Sequence, residues 1–183
     1  MIALRSNLSD EVYRSFCYDQ PFASPAEFSD EVVVVDGFSK TYGMTGWRLG
    51  FCHGPRCLIE EMIKLQQCMY VCAPSMVQHA GVAAWDHDVS AFVADYSRKR
   101  DWLCNRLQDL YEIVKPGGAF YIFPRVPWGD GNAFVAEAIR NNLLVIPGGT
   151  FSRRDTHFRI SYAASDATLE RGLDILRRLA RPI

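Results

Sequence analysis

The pattern of apolar and polar positions divides the chain into alternating strands and helices. Val32-Val33-Val34-Val35 is an unbroken β-branched run, the pattern of a strand buried on both faces, and Asp36 and Gly37 end it. A second strand is predicted around Trp47 to His53. Pro55 suits the first turn of a helix whose apolar stripe is Leu58, Ile59, Met62, Ile63 and Leu65, predicted to face the core. Cys72-Ala73-Pro74-Ser75 breaks that helix, and another runs from Pro74 to about Trp85. A long helix follows from about Asp88 to Glu112. Phe92, Tyr96, Leu103, Leu107 and Leu110 line one of its faces, while Arg98, Lys99 and Arg100 read as a solvated patch. Residues 14–30, with Pro21 and Pro25, read as a loop. Ile2 to Ser9 reads as the end of a helix that runs straight into the turn at Asp10.

Beyond Pro116 the texture changes to short strands between helices. Strands are predicted at Gly118–Phe123, Leu143–Ile146 and His157–Ala163, with a helix over roughly Gly131–Asn141. Ser165 can cap a last helix that buries Leu169, Leu173, Leu176 and Ala180. The fold class is therefore α/β in two parts, residues 1–100 and 101–183.

Composition narrows the function classes. Of 183 residues, 49% are apolar and 22% charged, which suits a globular protein with a buried core. The formal net charge of −1 offers no basic field for nucleic acid or an anionic membrane. No apolar stretch approaches the ~20 residues that span a bilayer. Met1 to Asn7 lacks the apolar core of a signal peptide. Six cysteines without a CxxC pair fit reduced thiols in a cytoplasmic protein, and four scattered histidines have no metal-ligand spacing.

Candidate chemistry centres on Lys40, in Phe38-Ser39-Lys40-Thr41-Tyr42-Gly43-Met44-Thr45-Gly46-Trp47-Arg48-Leu49-Gly50. A lysine just after a buried strand is poorly placed for a surface role. Burial lowers a lysine pKa and makes the neutral amine a nucleophile, able to form a Schiff base with an aldehyde cofactor. Arg48 could neutralise a phosphate on that cofactor. An arginine between Trp47 and Leu49 in an apolar strand would be costly unless paired. Arg159, on the opposite face from Phe158 and Ile160, offers a planar fork to a carboxylate. Arg153 and Arg154 read as exposed loop residues.

The Lys40 segment resembles the lysine signature of class I pyridoxal-phosphate (PLP) aminotransferases, the aspartate aminotransferase superfamily. The resemblance runs from about Asp10 to the end of the chain. Asp10-Glu11-Val12-Tyr13 resembles the family's Asp-Glu-x-Tyr turn, and Phe158-Arg159-Ile160-Ser161 its arginine strand. Many members carry Ser or Thr three residues before the lysine, where this chain has Gly37. The resemblance implies that Lys40 holds the cofactor and moves the substrate proton, and that Arg48 binds the cofactor phosphate. It also implies that Asp10 partners the ring nitrogen, Tyr13 the phenolate oxygen, and Arg159 the substrate α-carboxylate. Residues 1–100 would be the C-terminal part of the PLP-binding large domain, with a mostly parallel sheet, and 101–183 a smaller α/β domain. The expected reaction is transfer of an amino group between an α-amino acid and a 2-oxo acid, by a cytoplasmic homodimer. The chain reads as the C-terminal portion of such an enzyme. Two alternatives stay open: a PLP lyase of the same superfamily, and a non-catalytic remnant.

Overall fold

The computed structural model describes residues 7–181, and the chain divides between Ala91 and Phe92 into two compact units. In the first, β1 (Asn7–Asp10) pairs in parallel with β2 (Val32–Gly37), and β2 pairs antiparallel with β3 (Gly50–His53). The register sets Asp10 beside Val35 and Gly37 beside Gly50. Val32, Val33 and Val34 are buried, as the β-branched run predicts.

The helix end expected before Asp10 is instead the strand β1, over the part of that stretch that is described; residues 2–6 lie outside the described residues. Asn7, Leu8 and Ser9 lack an apolar alternation, and Leu8 is 71% exposed. Backbone pairing with β2, not side-chain burial, makes this segment a strand.

A four-residue helix, α1 (Phe38–Thr41), follows β2 directly. A 3-10 turn at Thr45–Trp47 then leads to Arg48 in the left-handed region (φ 55°). Arg48 therefore precedes β3 and is exposed, and the burial cost expected for a strand arginine does not arise. Helices α2 (Arg56–Met69) and α3 (Ser75–Trp85) complete the unit. The apolar stripe of α2 is not core: none of its residues is buried, and Met62, Ile63 and Leu65 are exposed. Helix α3 packs against the lysine segment. A Cβ on Gly81 would lie 2.4 Å from Leu49 Cδ2, so any larger residue there must displace that side chain. The Phe38 and Phe51 rings lie 6.0 and 5.6 Å from Trp85.

Helix α4 (Ser90–Leu107) carries the chain into the second unit. There β4 (Tyr121–Ile122), β5 (Ile146–Pro147) and β6 (Phe158–Ser161) form an antiparallel sheet in the order β4-β6-β5. Helices α5 (Gly131–Arg140) and α6 (Asp166–Leu179) join it, capped by the side chains of Asp130 and Ser165. Leu103, Leu107, Tyr111, Phe134, Phe158, Tyr162 and the four leucines of α6 fill the core.

Two details of α4 depart from its apolar pattern. Phe92 is 57% exposed, so the stripe does not run the whole helix. Arg100 is no part of a solvated patch: it is 2% exposed and donates to the Pro116 carbonyl at 3.0 Å and to Asp101 at 2.8 Å. Arg98 pairs with Asp95 and Asp166, and Lys99 with Asp95.

Candidate active site

The first unit gathers Asp10, Tyr13, Lys40 and Arg48 around the carboxyl ends of the two parallel strands. In open α/β sheets that is the end where ligands bind. Asp10 is the last residue of β1, exposed, and its carboxylate accepts the Val12 N–H at 3.2 Å. The ladder runs one step further, because the Glu11 N–H donates to the Val35 carbonyl at 2.8 Å. The chain then turns back on itself, with Arg14 N bonded to Glu11 O and Phe16 N to Tyr13 O. Glu11 is 2% exposed, and the Ser24 hydroxyl donates to its carboxylate.

This turn is stitched to the lysine segment. Arg14 pairs with Asp36 at 3.2 Å, and the Thr41 hydroxyl donates to that of Ser15 at 3.1 Å. Lys40 Nζ lies 5.8 Å from the centre of the Tyr13 ring. The phenol and the amine, 27 positions apart, thus share one surface. Further along, the Thr45 hydroxyl donates to Ser39 O at 3.0 Å and Arg48 Nη1 to Thr45 O at 3.0 Å. Arg48 is thereby tied back to the residue before Lys40. It has no carboxylate partner among the described residues. A non-glycine residue held at positive φ marks a position that its surroundings over-determine.

Asp36 was not legible as a site residue. It is buried at the end of β2, and its carboxylate accepts the Gly37 N–H at 2.6 Å. Burial pushes its carboxyl above the ordinary aspartate value; the Gly37 N–H and the Arg14 guanidinium oppose the shift, and Glu11 and Asp10 add to it. The signal available in the sequence was a carboxylate directly after four valines.

Arg159 belongs to the second unit, on β6, where it faces Ile146 across the sheet. The strand buries Phe158 and Ile160 and leaves Arg159 on the other face, as alternation predicts. Its guanidinium carbon lies 4.4 Å from the centre of the Tyr121 ring and 4.3 Å from that of Phe151. Among the described residues no carboxylate pairs with it. Neither aromatic neighbour was singled out from the sequence. Arg153 and Arg154 are exposed.

The six cysteines are free. Among the described residues, no group of three His, Cys, Asp or Glu side chains could hold a metal ion, and no helix is long and apolar enough to cross a membrane.

Comparison with known proteins gives this arrangement a family. The profile described as aminotransferase class I and II matches residues 7–176. A probable aspartate aminotransferase of Methanocaldococcus jannaschii is 37% identical, over 94% of this chain and 49% of its own length. An aromatic aminotransferase structure from Pyrococcus horikoshii superposes with a TM-score of 0.89 at 34% identity, over 93% of this chain and 50% of that one. An aspartate aminotransferase structure from Thermotoga maritima gives 0.90 at 30% identity, over 94% and 47%. The chain spans about half the length of the relatives it matches. On the strength of the profile match and these likenesses, the chain belongs to the class I and II aminotransferase family.

Proposed function

We propose that this chain carries the lysine and substrate-binding parts of a PLP-dependent aminotransferase that moves an amino group between an α-amino acid and a 2-oxo acid. Members of the family use pyridoxal 5′-phosphate. When bound, that cofactor supplies an electron sink for the carbanion left at the substrate carbon.

The side chains fit that group by their chemistry. Lys40 offers a primary amine beside the Tyr13 phenol. Arg48 offers a guanidinium with no carboxylate partner among the described residues, suited to the phosphate. Asp10, at the strand end, would hold a proton on the ring nitrogen, and Tyr13 would donate to the phenolate oxygen. In this reading Arg159 grips the substrate carboxylate and Lys40 Nζ takes the proton from the substrate α-carbon. The same reading makes the protein a cytoplasmic homodimer with small-molecule substrates and neither nucleic-acid nor membrane partners, as the family resemblance and the near-neutral charge suggest.

The observation that carries the proposal is the Lys40–Tyr13 approach at the ends of two paired parallel strands. The test is borohydride reduction in the presence of PLP, followed by peptide mapping. The chain has four lysines, and the pyridoxyl group is expected on Lys40 in preference to Lys64, Lys99 and Lys115. Lys40→Ala should abolish the adduct and the transamination. Equal labelling of all four lysines, or an unchanged adduct yield in Lys40→Ala, refutes the assignment.

A further inference from the structure

We propose that Tyr121 and Phe151 are positioning residues that clamp the Arg159 guanidinium between aromatic rings, so that its donor edge selects a planar carboxylate over a tetrahedral anion. The proposal rests on the reading of Arg159 as the substrate's carboxylate anchor and adds the device that aims it.

The geometry lies wholly within the second unit. Tyr121 pairs with Ser161 across β4 and β6, which makes it the diagonal neighbour of Arg159 on one face of the sheet. Diagonal neighbours are within reach of aromatic and long side chains. Phe151 comes from another direction, directly after the 3-10 turn Gly148–Thr150. That turn is fixed through its own backbone N–H groups: Gly148 N donates to His157 O at 2.7 Å, and Gly149 N to the Asp155 side-chain carboxylate at 3.0 Å. Phe151 is itself buttressed, edge-on against Phe123 at 6.2 Å, and Phe123 stacks on His157 at 5.2 Å. Phe151 is therefore held independently of Arg159, and the Tyr121 ring packs on that of Phe120 at 4.8 Å.

A guanidinium has apolar faces and a rim of N–H donors. Two ring centres lie 4.4 and 4.3 Å from its central carbon, within stacking distance of those faces. The rim keeps no carboxylate partner among the described residues. An unclamped arginine side chain samples many rotamers, and each binding event must freeze them. A clamped one presents two parallel N–H groups in a fixed plane. A carboxylate matches that plane with both oxygens at once. A phosphonate places its three oxygens around a tetrahedron and meets the plane with fewer of them.

The test reads the Arg159 side chain directly and needs no turnover. The Arg159 Nε–H signal is followed by nitrogen-15 NMR while hydrocinnamate, an unreactive carboxylate, or its phosphonate isostere is added. In the wild-type protein the signal should be displaced by ring currents, and hydrocinnamate should shift it at lower concentration than the phosphonate. Phe151→Leu removes one ring from a half-exposed site. It should return the signal toward the random-coil position, weaken hydrocinnamate about tenfold, and shrink its advantage over the phosphonate. Phe151→Tyr and Tyr121→Phe keep the rings and should stay within about twofold of wild type. A wild-type Arg159 signal indifferent to hydrocinnamate overturns the inference. So does a Phe151→Leu protein that weakens both ligands equally, since that is the mark of a merely structural ring. Failure of the proposed function shows elsewhere, in the absence of PLP labelling at Lys40.

Discussion

Gly131 and Asp155 should be energetically coupled, and the structure sets the size of the coupling. The Asp155 carboxylate accepts from Asn132 N at 3.0 Å, Asn132 Nδ2 at 2.6 Å and Gly149 N at 3.0 Å. Its backbone carbonyl accepts from Gly131 N at 2.8 Å. One side chain thus joins the start of α5 to the turn before Phe151. Bonds to a charged acceptor contribute about 1.5–3 kcal/mol when buried; for a partly exposed carboxylate about 1 kcal/mol each is the better figure. Asp155→Ala should therefore cost about 3 kcal/mol. Gly131 has no room for a methyl group: its Cβ would lie 2.1 Å from Asp155 Oδ1 and 2.8 Å from His157 O. Overpacking of this kind costs about 1–3 kcal/mol, so Gly131→Ala should lose about 2 kcal/mol despite alanine's better helix propensity. In the double variant the closest clash is gone and the His157 contact remains. The loss should then be about 3.5 kcal/mol, less than the sum of the single changes. Urea unfolding followed by circular dichroism, at unchanged slope, measures all three. Additivity within about 0.5 kcal/mol would mean that the glycine is not there to admit Asp155. A stabilised Gly131→Ala protein would refute the packing argument outright.

Two other outcomes are expected. Asp36 has a raised pKa, so the folded state holds its proton more tightly than the unfolded chain, whose carboxyl titrates near 3.8. Its contribution to stability is then full below that value and is lost as pH rises through the higher folded value. Plotted as wild type minus Asp36→Asn, thermal midpoints should fall across that window, and parallel curves would show that Asp36 is not strained by burial. Tyr111 is buried, and its hydroxyl donates to Leu176 O at 2.7 Å. Tyr111→Phe should cost about 1–2 kcal/mol by calorimetry, because the carbonyl is left unsatisfied. An unchanged midpoint would mean that the carbonyl finds another donor.

Much of this was legible in the sequence because it depends on local chemistry. Four consecutive valines gave β2, Ser165 gave the start of α6, and the thirteen residues around Lys40 carried the family resemblance. What was not legible depends on partners distant in sequence. Strand β1 is polar and exposed, so no side-chain period announces it; its identity comes from the hydrogen bonds of β2. The stripe of α2 has a core-like period, yet period reports only that a helix has two faces, not that anything covers one of them. Arg100 looks like its neighbours Arg98 and Lys99 until the Pro116 carbonyl arrives from sixteen positions away. Arg48 read as a strand residue because Trp47 and Leu49 are apolar; the 3-10 turn at Thr45–Trp47 and a left-handed backbone displaced the strand's start. Arg159 was found, but its two rings come from Tyr121 and Phe151, each on a separate element.

The parallel pairing of β1 with β2 also decides which insertions and deletions this chain can survive. Asp10 is set against Val35 by backbone bonds alone, five positions before Lys40. A residue added within either strand would slip that pairing by one and turn the carboxylate to the opposite face of the sheet. A residue added between Tyr18 and Asp30 leaves that register intact, and even doubling such a loop costs about 0.6 kcal/mol in closure entropy. Length variation among descendants of this sequence should therefore collect between the two strands, while the count of residues from Val35 to Lys40 and from Asp10 to Tyr13 stays fixed.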